Sequence, residues 1–133
     1  MILAFDYGTQ KIGVASGNAL LGTATPLKAL PCKNTQPNWD DIAALLKEWE
    51  PEALVVGLPL NMDGSDSEST ARARKFANRL HGRFGKKVWL VDERLSTREA
   101  RERTGIQKAD PRVDSMAAVV IAEGYFSGNA QCF

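Results

Sequence analysis

The chain has 133 residues, 44% of them apolar and 25% charged, which matches one ordinary globular domain and excludes a second catalytic or binding domain. Cys32 and Cys132 form no CxxC pair and His81 is the single histidine, which argues against zinc and for a reducing, cytoplasmic compartment; apolar runs such as Met116–Ala122 are far below the ~20 residues of a membrane span, and no charged-then-apolar leader opens the chain. The net charge of +1 hides a segregation: between Ser67 and Arg112 stand 13 basic and 6 acidic residues, a local balance of +7 against −6 elsewhere, as a polyanion-binding surface or a set of solvated helix faces would produce.

Met1 to Phe5 is an apolar run without alternation, the pattern of a strand buried on both faces. It ends in the turn Asp6-Tyr7-Gly8-Thr9-Gln10, after which Lys11 to Ser16 reads as an antiparallel partner and Ala24 to Leu30 as a third strand between Pro26 and Pro31 signals. Trp39, Ile42, Leu45, Leu46 and Trp49 then recur at helical spacing, with Asn38 as N-cap and Pro51 as stop. Ala53 to Gly57 is another buried strand leading into the loop Leu58 to Gly64, and Ser65-x-x-Glu68 has the form of a capping box. In the helix that follows, Ala73, Phe76, Ala77, Leu80 and Phe84 mark one face, and Arg72, Lys75, Arg79 and Arg83 the other.

Lys87 to Asp92 predicts a strand, Ser96-x-x-Glu99 a short polar helix closed by Gly105, and Ile106 to Ala109 a loop. Asp110 and Pro111 predict the start of a last helix with Val113, Ala117, Val120, Ile121 and Tyr125 on its apolar face. The order β β β α β α β α α implies an α/β sandwich: a mixed five-stranded sheet, antiparallel over its first three strands and parallel afterwards, with helices on both faces.

Asp6, Asp92, Glu93 and Asp114 stand at strand or helix ends, where loops over a rigid sheet bind ligands. Three or four such carboxylates offer oxygen-only ligands to Mg²⁺ or Mn²⁺, and two ions about 4 Å apart would activate water and stabilise the leaving oxygen of a phosphodiester. Adjacent strand residues point to opposite faces, so Asp92 and Glu93 cannot both serve one site, and the sequence leaves the choice open. Each acid also has a plainer reading: a turn for Asp6, an ion pair with Arg94 or Arg98 for Glu93, helix-dipole complementarity for Asp114.

In order along almost the whole chain, DYGTQKIGVA, VVGLPLNMDGS, VDERLSTREA and VDSMAAVVIAEGYF resemble the YqgF (RuvX-like) family of the RNase H-like superfamily. Its members resemble Holliday-junction resolvases and are described as nucleases maturing the 5′ end of pre-16S rRNA. The resemblance implies a single RNase H-like nuclease domain over residues 1–133, with Asp6, Glu93 and Asp114 as catalytic residues and ligands of one or two Mg²⁺ or Mn²⁺ ions. The strand-contacting residues are expected to be Asn61, Arg72, Lys75, Arg79, Arg94 and Arg98. The expected partner is an rRNA precursor, in a pre-ribosomal particle or free, with the protein a monomer or homodimer in the cytoplasm. Branched DNA is the alternative substrate, and a non-catalytic RNA-binding assembly factor the alternative role. Asp-x-Gly-Thr before a hairpin also resembles the phosphate loop of actin-like ATPases, but those close two domains over a nucleotide and 133 residues supply one.

Overall fold

A computed structural model describes residues 1–92, 115–128 and 130–132. Its strands are β1 (Ile2–Asp6), β2 (Lys11–Asn18), β3 (Thr23–Lys33), β4 (Gln36–Pro37), β5 (Ala53–Leu58), β6 (Lys87–Asp92) and β7 (Ala130–Cys132), and its described helices are α1 (Trp39–Trp49), α2 (Glu68–Phe84) and α3 (Met116–Phe126). The sheet runs β4-β3-β2-β1-β5-β6-β7, with β1, β5 and β6 mutually parallel and the remaining pairings antiparallel. The mixed sheet agrees with the pattern read from the sequence, but among the described residues it has seven strands rather than five. The two additions are edge strands of two and three residues, too short to show any periodicity and formed because β3 and β6 offer open backbone edges.

The strands β1 and β5 lack alternation because both faces are covered. Leu3, Phe5, Leu54 and Val56 pack with Ile42 and Leu46 of α1 and Phe76 and Leu80 of α2. Ile2, Ala4, Ala53 and Val55 pack instead with Ile121 and Ala122 of α3. Each large side chain fully withdrawn from water here contributes roughly 1.5–3 kcal/mol. β3 is longer than its sequence pattern suggests and accommodates both Pro26 and Pro31, because β4 pairs only with Cys32 and Lys33 and the rest of β3 is a sheet edge needing no further donor.

The helix caps follow local chemistry. Asn38 accepts from the backbone N–H groups of Asp40 and Asp41 at 3.0 and 3.3 Å, as expected of the N-cap of α1, and Glu50 closes that helix in the left-handed region just before Pro51. The capping box of α2 is not Ser65 with Glu68 but Ser67 with Thr70, each side chain accepting from the other residue's backbone N–H. Ser65 is already engaged, its hydroxyl donating to Asp63 at 2.6 Å. α3 is not amphipathic: Met116, Ala118, Val119, Val120, Ile121 and Ala122 are all buried while Ala117 is only half-buried. The helix start expected at Asp110 and Pro111, its Val113, the Ser96 to Glu99 helix, and the Ile106 to Ala109 loop lie outside the described residues.

Candidate active site at the strand ends

Because β1, β5 and β6 are parallel, their C-terminal ends emerge at one edge of the sheet. Phe5 pairs with Val56 and Val56 with Leu90, so the next residues, Asp6, Gly57 and Val91, stand level across three strands. Asp6 is half-buried at the end of a strand whose four preceding residues are fully buried. Gly8 makes the turn beyond it feasible, since a Cβ there would stand 2.6 Å from the Lys11 carbonyl oxygen.

Strand alternation now separates the acids. Ile2 and Ala4 face α3 and Leu3 and Phe5 face α1 and α2, so Asp6 belongs to the α3 side. On β6, Val91 packs on the α3 side and Leu90 on the other, which assigns Asp92 to the face opposite Asp6. Asp92 is exposed and pairs in register with Leu58. It therefore does not share a site with Asp6, which removes one of the two alternatives left open at this strand end.

Glu93 and Asp114, with Arg94 and Arg98, lie outside the described residues, but their chain neighbours do not. Asp92 closes β6 at the same edge as Asp6. Ser115, which follows Asp114, is fully buried, and its Oγ accepts from the backbone N–H of Val14 at 3.0 Å. Val14 is paired with Phe5 and is next to Gly13, the cross-strand partner of Asp6. A register shift between β2 and β3 at Ile12 to Val14 accompanies this bond, a local break of the kind that turns a backbone group toward a new partner. Ser115 precedes α3 yet makes no side-chain cap bond, because its hydroxyl is committed to the sheet. Sequence reasoning passed over it; a small polar residue directly before an apolar helix was the available signal.

The loop after β5 is tied down by its own side chains. Asn61 Nδ2 donates to Ser65 Oγ at 3.0 Å, and Ser67 Oγ and Thr70 Oγ1 donate to the Pro59 carbonyl at 3.1 and 2.6 Å. Asn61 is exposed at this edge with its amide engaged inside the loop. The basic face of α2 is not uniform. Arg72 pairs with Glu68 at 2.6 Å, Arg79 donates to Gln36 Oε1 at 2.9 Å, and the Arg83 guanidinium lies 4.4 Å from the Trp39 ring centre. Arg72, Lys75 and Arg79, with Tyr7, line a cavity of about 150 Å³ on the face opposite Asp6. Burial raises the Tyr7 phenol above its ordinary range, with Cys32 adding to the rise and Arg72 and Arg79 opposing it. Trp89 packs edge-on against Tyr125 as a core-side residue, and His81 is exposed near the end of α2 with Nδ1 3.0 Å from the Lys86 carbonyl oxygen.

All three expected metal ligands are carboxylates, a donor set suited to Mg²⁺ or Mn²⁺. Among the described residues, which include only Asp6 of the three, no group of three acidic, histidine or cysteine side chains is assembled. No described helix is long and apolar enough to cross a membrane.

The family model described as RuvX, Holliday junction resolvase, matches residues 1–128. The chain belongs to the RuvX family. Among curated relatives, a protein of Alcanivorax borkumensis named "Putative pre-16S rRNA nuclease" is 92% identical over 133 residues, covering all of both chains. A protein of Aeromonas salmonicida with the same name is 57% identical over 93% of this chain and 92% of its own. Among solved structures, RuvC of Thermus thermophilus in complex with a Holliday junction substrate superposes with a TM-score of 0.57 at 16% identity, covering 99% of this chain and 98% of that one. That likeness, at such low identity, establishes the RNase H-like fold for this RuvX member.

Proposed function

We propose that this RuvX protein is a single-domain, divalent-metal-dependent nuclease that hydrolyses phosphodiester bonds of RNA in the 5′-end processing of pre-16S rRNA. The observation that carries the reading is the convergence at one sheet edge of Asp6, the β6 residue preceding Glu93, and the buried Ser115 that follows Asp114. That Asp92 faces away from Asp6 supports Glu93 as the ligand of that pair. The substrate named for the 92% and 57% identical relatives supports RNA.

Asp6, Glu93 and Asp114 would hold one or two Mg²⁺ or Mn²⁺ ions, which when bound supply Lewis-acid stabilisation of the phosphoryl oxygens and activation of water. The chain itself supplies position. Asp6 is set by five residues of paired strand, and Ser115 anchors the chain beside it. Asn61, Arg72, Lys75, Arg79, Arg94 and Arg98 orient the anionic strand. Asp6→Asn, close in shape but without the charge, is expected to abolish Mn²⁺-dependent cleavage of a pre-16S leader RNA while leaving the circular dichroism spectrum unchanged. Undiminished cleavage by that variant refutes the assignment. The family's description as a resolvase favours a second reading, in which branched DNA is the substrate. Faster cleavage of a four-way DNA junction than of the leader RNA would favour it.

A further inference from the structure

The cavity between α2 and the segment from Thr35 to Trp39 has a composition that neither the core nor an ordinary surface requires. Its floor is aromatic: Tyr7 stacks on Phe76 at 4.9 Å between ring centres and Phe76 on Trp39 at 5.8 Å. Its rim is cationic, with Arg72, Lys75 and Arg79 at i, i+3 and i+7 on one face of α2, and no carboxylate among the described lining residues. Among the described residues neither Lys75 nor Arg79 has an ion-pair partner, Arg79 donating only to the neutral amide of Gln36. Two cations without an ion-pair partner among the described residues, beside a third in a concave site, create a field that an anion would relieve.

Size narrows the ligand. At about 150 Å³ the cavity is below the ~300 Å³ at which small-molecule pockets begin, so it suits a phosphoryl group with part of its pentose rather than a whole nucleotide. Position narrows it further. Tyr7 lines the cavity and directly follows Asp6, so the cavity opens at the end of the same strand, on the other face of the sheet. The Tyr7 hydroxyl donates to the Thr35 carbonyl at 2.9 Å and holds the left-handed Asn34–Thr35 turn that forms one wall.

We propose that this cavity is a phosphate subsite that grips one phosphoryl group of the nucleic-acid strand, with Lys75 and Arg79 as its principal contacts. The proposal rests on the nuclease reading above and adds a defined anchoring point to it. The phosphoryl group is either an internal diester or a 5′-terminal monophosphate, and the two are separable by experiment.

The test is fluorescence anisotropy without divalent metal, using single-stranded RNA carrying a 5′-phosphate or a 5′-hydroxyl, with K75Q/R79Q compared against wild type and against R74Q. Arg74 pairs with Asp66 and does not line the cavity, so R74Q controls for loss of positive charge from α2. The double variant is expected to bind roughly tenfold or more weakly than R74Q, and its plot of log affinity against log salt to be shallower by about 0.7, one single-strand phosphate contact. An equal loss for both RNAs assigns an internal diester; a loss confined to the 5′-phosphorylated RNA assigns the terminal group. Affinity and salt slope matching those of R74Q would overturn the subsite while leaving the nuclease reading standing. No RNA binding by the wild type would overturn both.

Discussion

Replacing Ser115 with alanine isolates one hydrogen bond that joins the last helix to the sheet beside Asp6. The hydroxyl is fully buried and accepts from the Val14 N–H at 3.0 Å across 101 residues of sequence. Alanine leaves that donor buried without a partner, a cost of about 1–3 kcal/mol. No capping loss is added, because the Ser115 side chain makes no cap bond to α3. For 133 residues at ~2.1 cal/mol/K each, the unfolding entropy is about 0.28 kcal/mol/K, so the midpoint of thermal unfolding should fall by roughly 4–11 °C. Calorimetry at neutral pH measures the shift. Because Asp114 is the adjacent residue, cleavage by S115A measured well below its melting point should also fall more steeply than the folded fraction does. A midpoint within about 2 °C of wild type, below ~0.5 kcal/mol, would show that the Val14 amide does not depend on Ser115 and would refute the anchoring role.

Gly124→Ala sets two effects against each other: helix propensity favours alanine by about 0.8–1 kcal/mol. The new Cβ, however, would stand 2.9 Å from Val91 Cγ1 on a β-branched side chain with little rotamer freedom, and overpacking of ~1–3 kcal/mol should prevail. Urea denaturation should show a net loss in G124A that V91A/G124A partly recovers. The Tyr7 phenol, raised by burial above its unfolded value of about 10, contributes stability that is fully present below that pH and is lost as pH climbs through the higher folded value. The stability difference between wild type and Tyr7→Phe should therefore shrink as pH rises above about 10, and a constant difference would contradict the shift.

Much of the fold is legible locally. The unalternating Ile2 to Phe5 run announces a strand covered on both sides, and the structure places helices on each. The 3.6-residue spacing of Phe76, Ala77 and Leu80 announces the buried face of α2 and, by elimination, its basic one. The misread positions have specific competitors. Ser65 and Ser67 both carry a plausible cap pattern, and only the capture of Ser65 by Asp63 decides for Ser67. The last helix, read as one-faced, is apolar nearly all round because it lies on the sheet and packs Ala118 and Val119 toward Ala15 as well as Ile121 toward Ile2.

The site divides in the same way. Sequence by itself determined that Asp6 ends a buried strand, that acids recur at element ends, and that Arg72, Lys75 and Arg79 share a helix face, since all three follow from chain order and fixed periodicities. That Asp92 faces away from Asp6 was decided only by tertiary packing, because strand parity acquires a direction once Val91 lies against α3 and Leu90 against α2. The cationic cavity was likewise a tertiary product. Its aromatic floor joins Tyr7 from the turn after β1 with Trp39 of α1 and Phe76 of α2, and no local pattern reports distances between side chains so far apart in the chain.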